Sequence, residues 1–321
     1  MEMLTSVAKN PFLRVMVLNA QDLFLFMDKH VAGPVEDLTE QKWQLMSSSL
    51  FMNKSKEKAQ ILAQTILESQ ADVVMMTEVG GHESLINFAK HLLGDEYEAL
   101  SLPSNSDRGI DLGYLVKRTL RAELTLHSYA QHVLPEPARR FSRDVLRLDL
   151  KQAGELKAIF LLVHIKSKLD LKRADFEGRT RRVLEIKGLI EIYKKLEGLG
   201  VPILVGGDFN GHAGEVETEE EFKSLYTETD LKDVAYLAQI PEEERFSYIY
   251  FTRGGNRFVQ QIDYLFISDK FSNLIISQEC YFPRYKNLLG APLPIPTRME
   301  QKSSLPSDHY PFLATIRFPL A

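Results

Sequence analysis

Cysteine is nearly absent. Cys280 stands alone in 321 residues, so no intramolecular disulfide can form, and the usage fits a reducing compartment with the cytoplasm as the default. The same scarcity excludes a thiolate zinc cluster. Long hydrophobic runs are missing as well: no stretch approaches the roughly 18 apolar residues of a membrane span. The opening segment MEMLTSVAKNPFLRVMVLNA lacks a basic region followed by a long apolar stretch and a small-residue cleavage site, so no signal peptide is expected. Positive charge is not in excess. A net charge of -5 and a pI near 6.0 exclude coating of nucleic acid by bulk charge, while a local basic patch stays compatible with such a substrate. Internal repeats at solenoid spacing and low-complexity tracts are also lacking, which excludes a solenoid.

What is present is the composition of a globular protein able to bury a core: 44% hydrophobic and 26% charged residues, with a mean hydropathy of -0.18. The chain reads as a single domain over residues 1–321. Short β-like runs alternate with helical ones. FLRVMVLNA (12–20) reads as a strand, KEKAQILAQTILESQ (56–70) as an amphipathic helix and ADVVMMTEV (71–79) as a second strand. ESLINFAKHLLG (83–94) reads as a helix closed by glycine, while LGYLVKR and AELTLHSY read as neighbouring strands. DVLRLDLK and LKAIFLLVHIKS are joined by the hairpin signal QAGE. A long helix over FEGRTRRVLEIKGLIEIYKKLEGLG leads to the buried strand of VPILVGGDFN; FSYIYF, TRGGNR and FVQQIDYLFIS form another hairpin pattern, and YPFLATIRF is the last strand. The Pro- and Ser-rich segment 288–307 is read as a surface loop, since strands continue beyond it. Hairpins together with crossovers predict mixed sheets covered by helices.

Polar residues recur at the strand ends. Asn19 ends the first strand and Glu78 the second; His164 sits late in a third, Asp208 and Asn210 follow a fourth, Asp263 lies within a fifth, and Asp308 and His309 precede the last. One such residue would be a helix cap or a turn. A set of metal-ligand and acid/base types on six elements is better explained by one site, because strand ends are where ligand sites form.

In order and local wording the chain resembles the endonuclease/exonuclease/phosphatase superfamily. LNAQDLF resembles its first Asn motif, DVVMMTEVGG its metal-binding Glu motif and GDFNGHAG its GDFN motif; QQIDYLFIS is similar to its late Asp strand and PSDHYPFLATI to its Ser-Asp-His motif. The matches span residues 15–317, and RGIDLGYLVKR and LVHIKSK resemble its bacterial nuclease-like branch. The resemblance implies a four-layered α/β sandwich, two mixed β-sheets packed face to face with helices outside. It also implies a metal-dependent phosphoric ester hydrolase.

Such chemistry needs a cation to neutralise phosphoryl oxygens and a base to activate water. Mg²⁺, with Mn²⁺ as substitute, prefers carboxylate and carboxamide oxygens, which Glu78, Asn19 and Asp308 offer. By resemblance Asp208 orients or deprotonates the attacking water and Asn210 holds the scissile phosphate or contacts metal. Asp263 and His309 form a dyad in which the carboxylate fixes the imidazole tautomer. His164 contacts phosphate or protonates the leaving group. Relatives that repair apurinic sites differ at this motif, which makes that activity the poorer match. Asp111 in DRGIDLGYL either supports a histidine or begins a strand. The segment 166–182 and RRFSRDVLR are basic enough to line a phosphate groove or to be solvated faces, with Arg143 and Lys166 the nearest to the motifs. The acidic run EVETEEEF faces solvent or limits a long polyanion on its side. Trp43 reads as a packing residue rather than a base-stacking one.

The leading expectation is therefore a Mg²⁺-dependent nuclease hydrolysing nucleic-acid phosphodiesters. The alternative is a phosphomonoesterase acting on a phosphorylated small molecule, inositol phosphate or nucleotide; a binding module that has lost catalysis comes third. Neither a membrane nor an obligate protein partner is called for.

Overall fold

The computed structural model describes residues 11–29, 34–169 and 175–318. Residues 30–33, and 170–174 of the basic segment, lie outside them. The first half of the chain comprises β1 (Phe12–Leu23), α1 (Glu40–Leu45), α2 (Lys56–Ser69), β2 (Val73–Val79), α3 (Gly81–Leu92), β3 (Tyr97–Ser101), β4 (Asp111–Lys117), β5 (Glu123–Ser128), β6 (Val145–Gln152) and β7 (Glu155–His164). The second comprises α4 (Arg179–Leu196), β8 (Ile203–Asp208), α5 (Lys223–Glu228), β9 (Leu231–Asp233), α6 (Val234–Leu237), β10 (Tyr248–Phe251), β11 (Arg257–Gln260), β12 (Asp263–Ser268) and β13 (Phe312–Arg317).

The strands make two mixed sheets and a ribbon. One sheet has the order β13-β1-β2-β4-β3 and the other β5-β6-β7-β8-β12-β9; β10 and β11 pair alone. Each large sheet contains one parallel pair, β1 with β2 and β7 with β8, and is otherwise antiparallel.

Strand periodicity sets the layers, because alternate side chains leave opposite faces of a strand. Leu13, Val15 and Val17 of β1, Val73 and Met75 of β2, Phe160 and Leu162 of β7, and Leu265 and Ile267 of β12 fill one core between the sheets. The intervening residues Met16, Leu18, Val74 and Met76 pack outward with Leu62, Ile66 and Phe88 of α2 and α3. On the other side Ile159, Leu161, Val205 and Phe266 pack with Ile186, Leu189 and Tyr193 of α4. Helix, sheet, sheet, helix is the four-layered α/β sandwich expected from the resemblance.

Two local readings change. LGYLVKR and AELTLHSY are not neighbours, since β4 lies in the first sheet and β5 in the second; the short turn Arg118–Leu120, closed by Arg121 at φ 49°, redirects the chain between them. FVQQIDYLFIS is two strands: β11 stays with β10, and after Gln261 and Ile262 the chain enters the second sheet as β12. The strand β3, without apolar alternation of its own, forms on the edge beside β4.

Candidate active site

The inward face of the sandwich delivers the polar set. Counting by twos from the core, β1 carries Val15 and Val17 to Asn19, β7 carries Phe160 and Leu162 to His164, and β12 runs back from Ile267 and Leu265 to Asp263. On β8 the count passes from Leu204 through Gly206 to Asp208. Asp208 is in register with His164 on one side and with Asp263 on the other. Four polar side chains thus meet where the apolar filling stops.

The two glycines before Asp208 have separate reasons. A Cβ on Gly206 would stand 3.0 Å from both Leu265 Cδ1 and Val17 Cγ2, so this is where the two sheets approach closely. Gly207 has φ +138°, and a Cβ there would lie 1.9 Å from the Val163 carbonyl oxygen. Only glycine permits that path into Asp208.

Asp208 is buried and fully engaged. Its Oδ2 accepts from Asn19 Nδ2 at 3.0 Å and its Oδ1 from the Asn210 amide at 2.8 Å, while His164 Nε2 lies 3.5 Å from Oδ2. Burial, and then the Asp263 charge, push its pKa up to about 7, against the pull of His309 and the Asn210 amide. Asn210 sits at φ 54° and donates its carboxamide to the Ile165 carbonyl at 3.0 Å, tying the GDFN turn to the segment after His164.

The two histidines differ in charge. His164 is held well below its usual pKa, first by burial and then by Arg143, and its Nδ1 has no hydrogen-bond partner among the described residues. His309 donates from Nδ1 to Asp263 Oδ2 at 2.7 Å; burial opposes its charge, but Asp263, with Asp208 and Asp308 behind it, pushes the pKa up to about 10. The site therefore holds one neutral imidazole and one imidazolium.

Glu78 reaches the group by an irregularity. The β1–β2 and β2–β4 registers both shift near it, and Glu78 itself adopts φ 58°. Its Oε2 accepts from the Asp22 amide at 3.2 Å, and its Oε1 lies 4.0 Å from His164 Nε2. Glu78, His164 and Asp208 each offer a ligand atom within 4.8 Å of the others, as do Asp208, Asp263 and His309. Asp263 Oδ1 is buried with no hydrogen-bond partner among the described residues. A set dominated by carboxylate oxygen, with such an orphan among it, fits a hard divalent cation. Asp308 belongs to neither cluster but borders one: its Oδ1 lies 3.9 Å from His309 Nε2, and its Oδ2 3.3 Å from Lys302 Nζ.

Of the residues expected to bind substrate, Arg143 acts most strongly on the group: its charge lowers the His164 pKa more than that of Lys166 does. Its guanidinium is buried, makes one 3.4 Å bond to Ser142 Oγ, and has its pKa lowered by burial while Glu185, Asp208 and Glu78 support its charge. Lys166 turns its ammonium to the Ser167 and Leu169 carbonyls, at 2.9 and 2.5 Å. Asp111 accepts from the Ser104 amide and hydroxyl at 3.1 and 2.5 Å, closing its own loop. The acidic run is not simply solvated: Glu221 is buried against Arg182 of α4, and Glu219 meets Lys168. Trp43 is buried and donates to the Lys54 carbonyl at 2.8 Å. That lysine escapes sequence reasoning altogether. Lys54 is buried, donates to the Gln21 carbonyl at 2.8 Å, and has its pKa lowered to about 8 by burial and by Lys58, against the charges of Asp22, Asp308 and Glu78.

No helix among the described residues is long and apolar enough to cross a membrane. No family model matches the sequence, and no curated protein does. Solved structures do. TDP2 of D. rerio complexed with single strand DNA product is 14% identical, covers 95% of this chain and 99% of its own, and gives a TM-score of 0.58. The human Nocturnin catalytic domain with bound sulfate anion is 16% identical, with 96% and 95% covered and a TM-score of 0.58. An endonuclease/exonuclease/phosphatase from Bacteroides vulgatus is 15% identical, with 96% and 99% covered and a TM-score of 0.55. Shared over nearly the whole length of each chain, the two face-to-face mixed sheets with helices outside them give this protein the endonuclease/exonuclease/phosphatase fold.

Proposed function

We propose that the protein is a divalent-cation-dependent phosphodiesterase that hydrolyses nucleic-acid phosphodiester bonds. One observation carries this reading: a buried carboxylate, Asp208, with a pKa near 7, stands between a neutral and a charged imidazole, beside carboxylates that fit a hard cation. A base poised near the working pH is the most effective one for activating water.

Glu78, Asn19 and Asp308 would hold Mg²⁺, or Mn²⁺ in its place, with Asp208 within reach. The cation supplies charge neutralisation at the phosphoryl oxygens. Asp208 takes the proton of the attacking water, its orientation fixed by Asn19 and the Asn210 amide. His309, protonated and held by Asp263, donates from Nε2 to a non-bridging oxygen. As the P–O bond breaks the leaving oxygen takes its proton from solvent; His164 contacts the phosphate or the leaving group, and Arg143 balances the negative charge of the phosphate. Lys166 and Asp111 serve by shaping the loops on which they close. The DNA product carried by the D. rerio protein supports a polynucleotide as substrate, and the sulfate of Nocturnin supports a fold that binds an anion.

A second reading, a phosphomonoesterase for small phosphorylated molecules, has one observation in its favour. A cavity of about 360 Å³ beside the GDFN turn is lined by Glu215, Glu217, Glu242 and Glu243, a surface that repels a long polyanion. A screen in Mg²⁺ and Mn²⁺ over single-stranded DNA, duplex DNA, RNA, inositol phosphates and bis(p-nitrophenyl) phosphate decides between them. Oligonucleotide ladders support the nuclease, and free phosphate from monoesters alone supports the second reading. No hydrolysis of any substrate overturns both.

A further inference from the structure

Arg143 lies on an irregular segment, and His164 lies at the end of β7, where regular structure stops. Residues 137–144 form a turn-rich connection between β5 and β6, and residues 165–169 leave the end of β7. Both depend on one helix for their placement. On α4, Arg181, Glu185 and Gly188 recur at i, i+4 and i+7, a single face of the helix. Arg181 Nη2 donates to the Arg140 carbonyl at 2.9 Å. Gly188 leaves space for the segment itself, since a Cβ there would meet Leu134 Cδ2 at 2.3 Å and Phe141 Cζ at 2.9 Å.

Glu185 is the junction. It is 1% exposed; its Oε1 accepts from the Ser142 amide at 2.7 Å and from Arg181 Nε at 3.3 Å, and its Oε2 accepts from the Lys166 amide at 2.8 Å. One buried carboxylate therefore ties the residue before Arg143 to the residue two beyond His164. Between those two lies Ile165, whose carbonyl receives Asn210 and whose amide donates to the Asp208 carbonyl at 2.9 Å. A buried carboxylate is costly unless its acceptor sites are filled, and here they are filled by the two segments that frame the reacting centre. It is also foremost among the carboxylates that support the Arg143 charge.

We infer that Glu185 is a positioning residue, which holds the Arg143 segment and the His164–Asn210 segment in fixed relation so that the guanidinium and the water-activating carboxylate face one phosphate. The inference rests on the phosphodiesterase reading above. It has its own test in the isosteric variant Glu185→Gln, whose single oxygen can serve one amide while its NH₂ opposes the other. Glu221→Gln is the control: it removes a buried carboxylate partnered to the same helix but touching neither segment.

Two measurements on the full chain are needed. Amide hydrogen exchange of E185Q should rise in residues 139–144 and 164–167 together and stay at the wild-type level there in E221Q. Exchange unchanged in either segment overturns the inference. The second is a double-mutant cycle with Arg143→Lys on bis(p-nitrophenyl) phosphate in Mn²⁺, at a temperature where circular dichroism shows all forms folded. E185Q should lower kcat/KM by roughly 10- to 100-fold in the wild-type background, and by no more than about 3-fold further in the R143K background. Equal losses in both backgrounds overturn positioning through Arg143. If the wild type hydrolyses nothing while paired exchange rises, the phosphodiesterase reading fails and the coupling of the two segments stands.

Discussion

His309 Nδ1 and Asp263 Oδ2 lie 2.7 Å apart, both side chains buried and 46 residues apart in the chain. The pair keeps His309 protonated well above its ordinary 6.5, to about 10. A folded-state pKa raised above the unfolded one gives stability that is complete below about 6.5 and is lost as pH rises through about 10. Asp263→Asn should therefore cost roughly 3–5 kcal/mol at pH 6, and the gap to wild type should narrow steadily toward pH 10. Urea unfolding in EDTA across that range measures it, and a gap independent of pH would contradict the ion pair.

Asp208 depends on pH in the same sense as His309, but through its neutral form. Burial and Asp263 raise its pKa to about 7 from an ordinary 3.8, so the fold favours the neutral form, and the stability this gives is complete below 3.8 and lost as pH rises through 7. Asp208→Asn cannot ionise. At pH 8 without metal it should be more stable than wild type by about 1–3 kcal/mol, while turnover falls by roughly 100- to 10,000-fold. Denaturation and kinetics on the same preparation test both halves; a variant less stable than wild type would make Asp208 a structural residue.

Sequence periodicity reaches far into this site and stops at a definable point. Asn19, His164, Asp208 and Asp263 are legible because each continues a period-2 apolar series, so the strand pattern that builds the core also aims them at one place. Glu78 is legible as a residue type but not as a direction, since its arrival depends on a register shift and a left-handed backbone. Lys166 and Asp111 lie beside the motifs in sequence, yet local carbonyls and Ser104 claim them. Glu185 and Lys54 are invisible in one dimension: their partners are backbone groups brought near by other elements. The expected pairing of β4 with β5 fails because a turn moves the chain from one sheet to the other between them, an event that no local pattern records.

Glu78 offers Oε1 toward His164 and Asp208 while its Oε2 is occupied by the Asp22 amide. Glu78→Gln keeps the shape and removes the charge a cation would meet. The Mg²⁺ concentration for half-maximal activity should rise about 10-fold or more, with activity partly restored at saturating metal. A loss that is the same at every Mg²⁺ concentration would take Glu78 out of the metal site.

The paired glycines ahead of Asp208 make the sharpest comparison. At Gly206 a methyl would press on Leu265 Cδ1, Val17 Cγ2 and Met75 Cε at 3.0 to 3.2 Å, all side-chain ends that can shift. Gly206→Ala should cost about 1–3 kcal/mol and leave most activity. At Gly207 the methyl would meet the Val163 backbone oxygen at 1.9 Å, from a φ of +138° that alanine does not adopt. Relief there requires the parallel β7–β8 ladder to part where Val163 pairs with Gly207 and His164 with Asp208. Gly207→Ala should therefore cost more than Gly206→Ala, about 4 kcal/mol or above, and should abolish turnover even in whatever fraction stays folded. Thermal denaturation ranks the two, and turnover per folded molecule separates them. Equal effects would mean that the backbone entering Asp208 is not what aims the carboxylate.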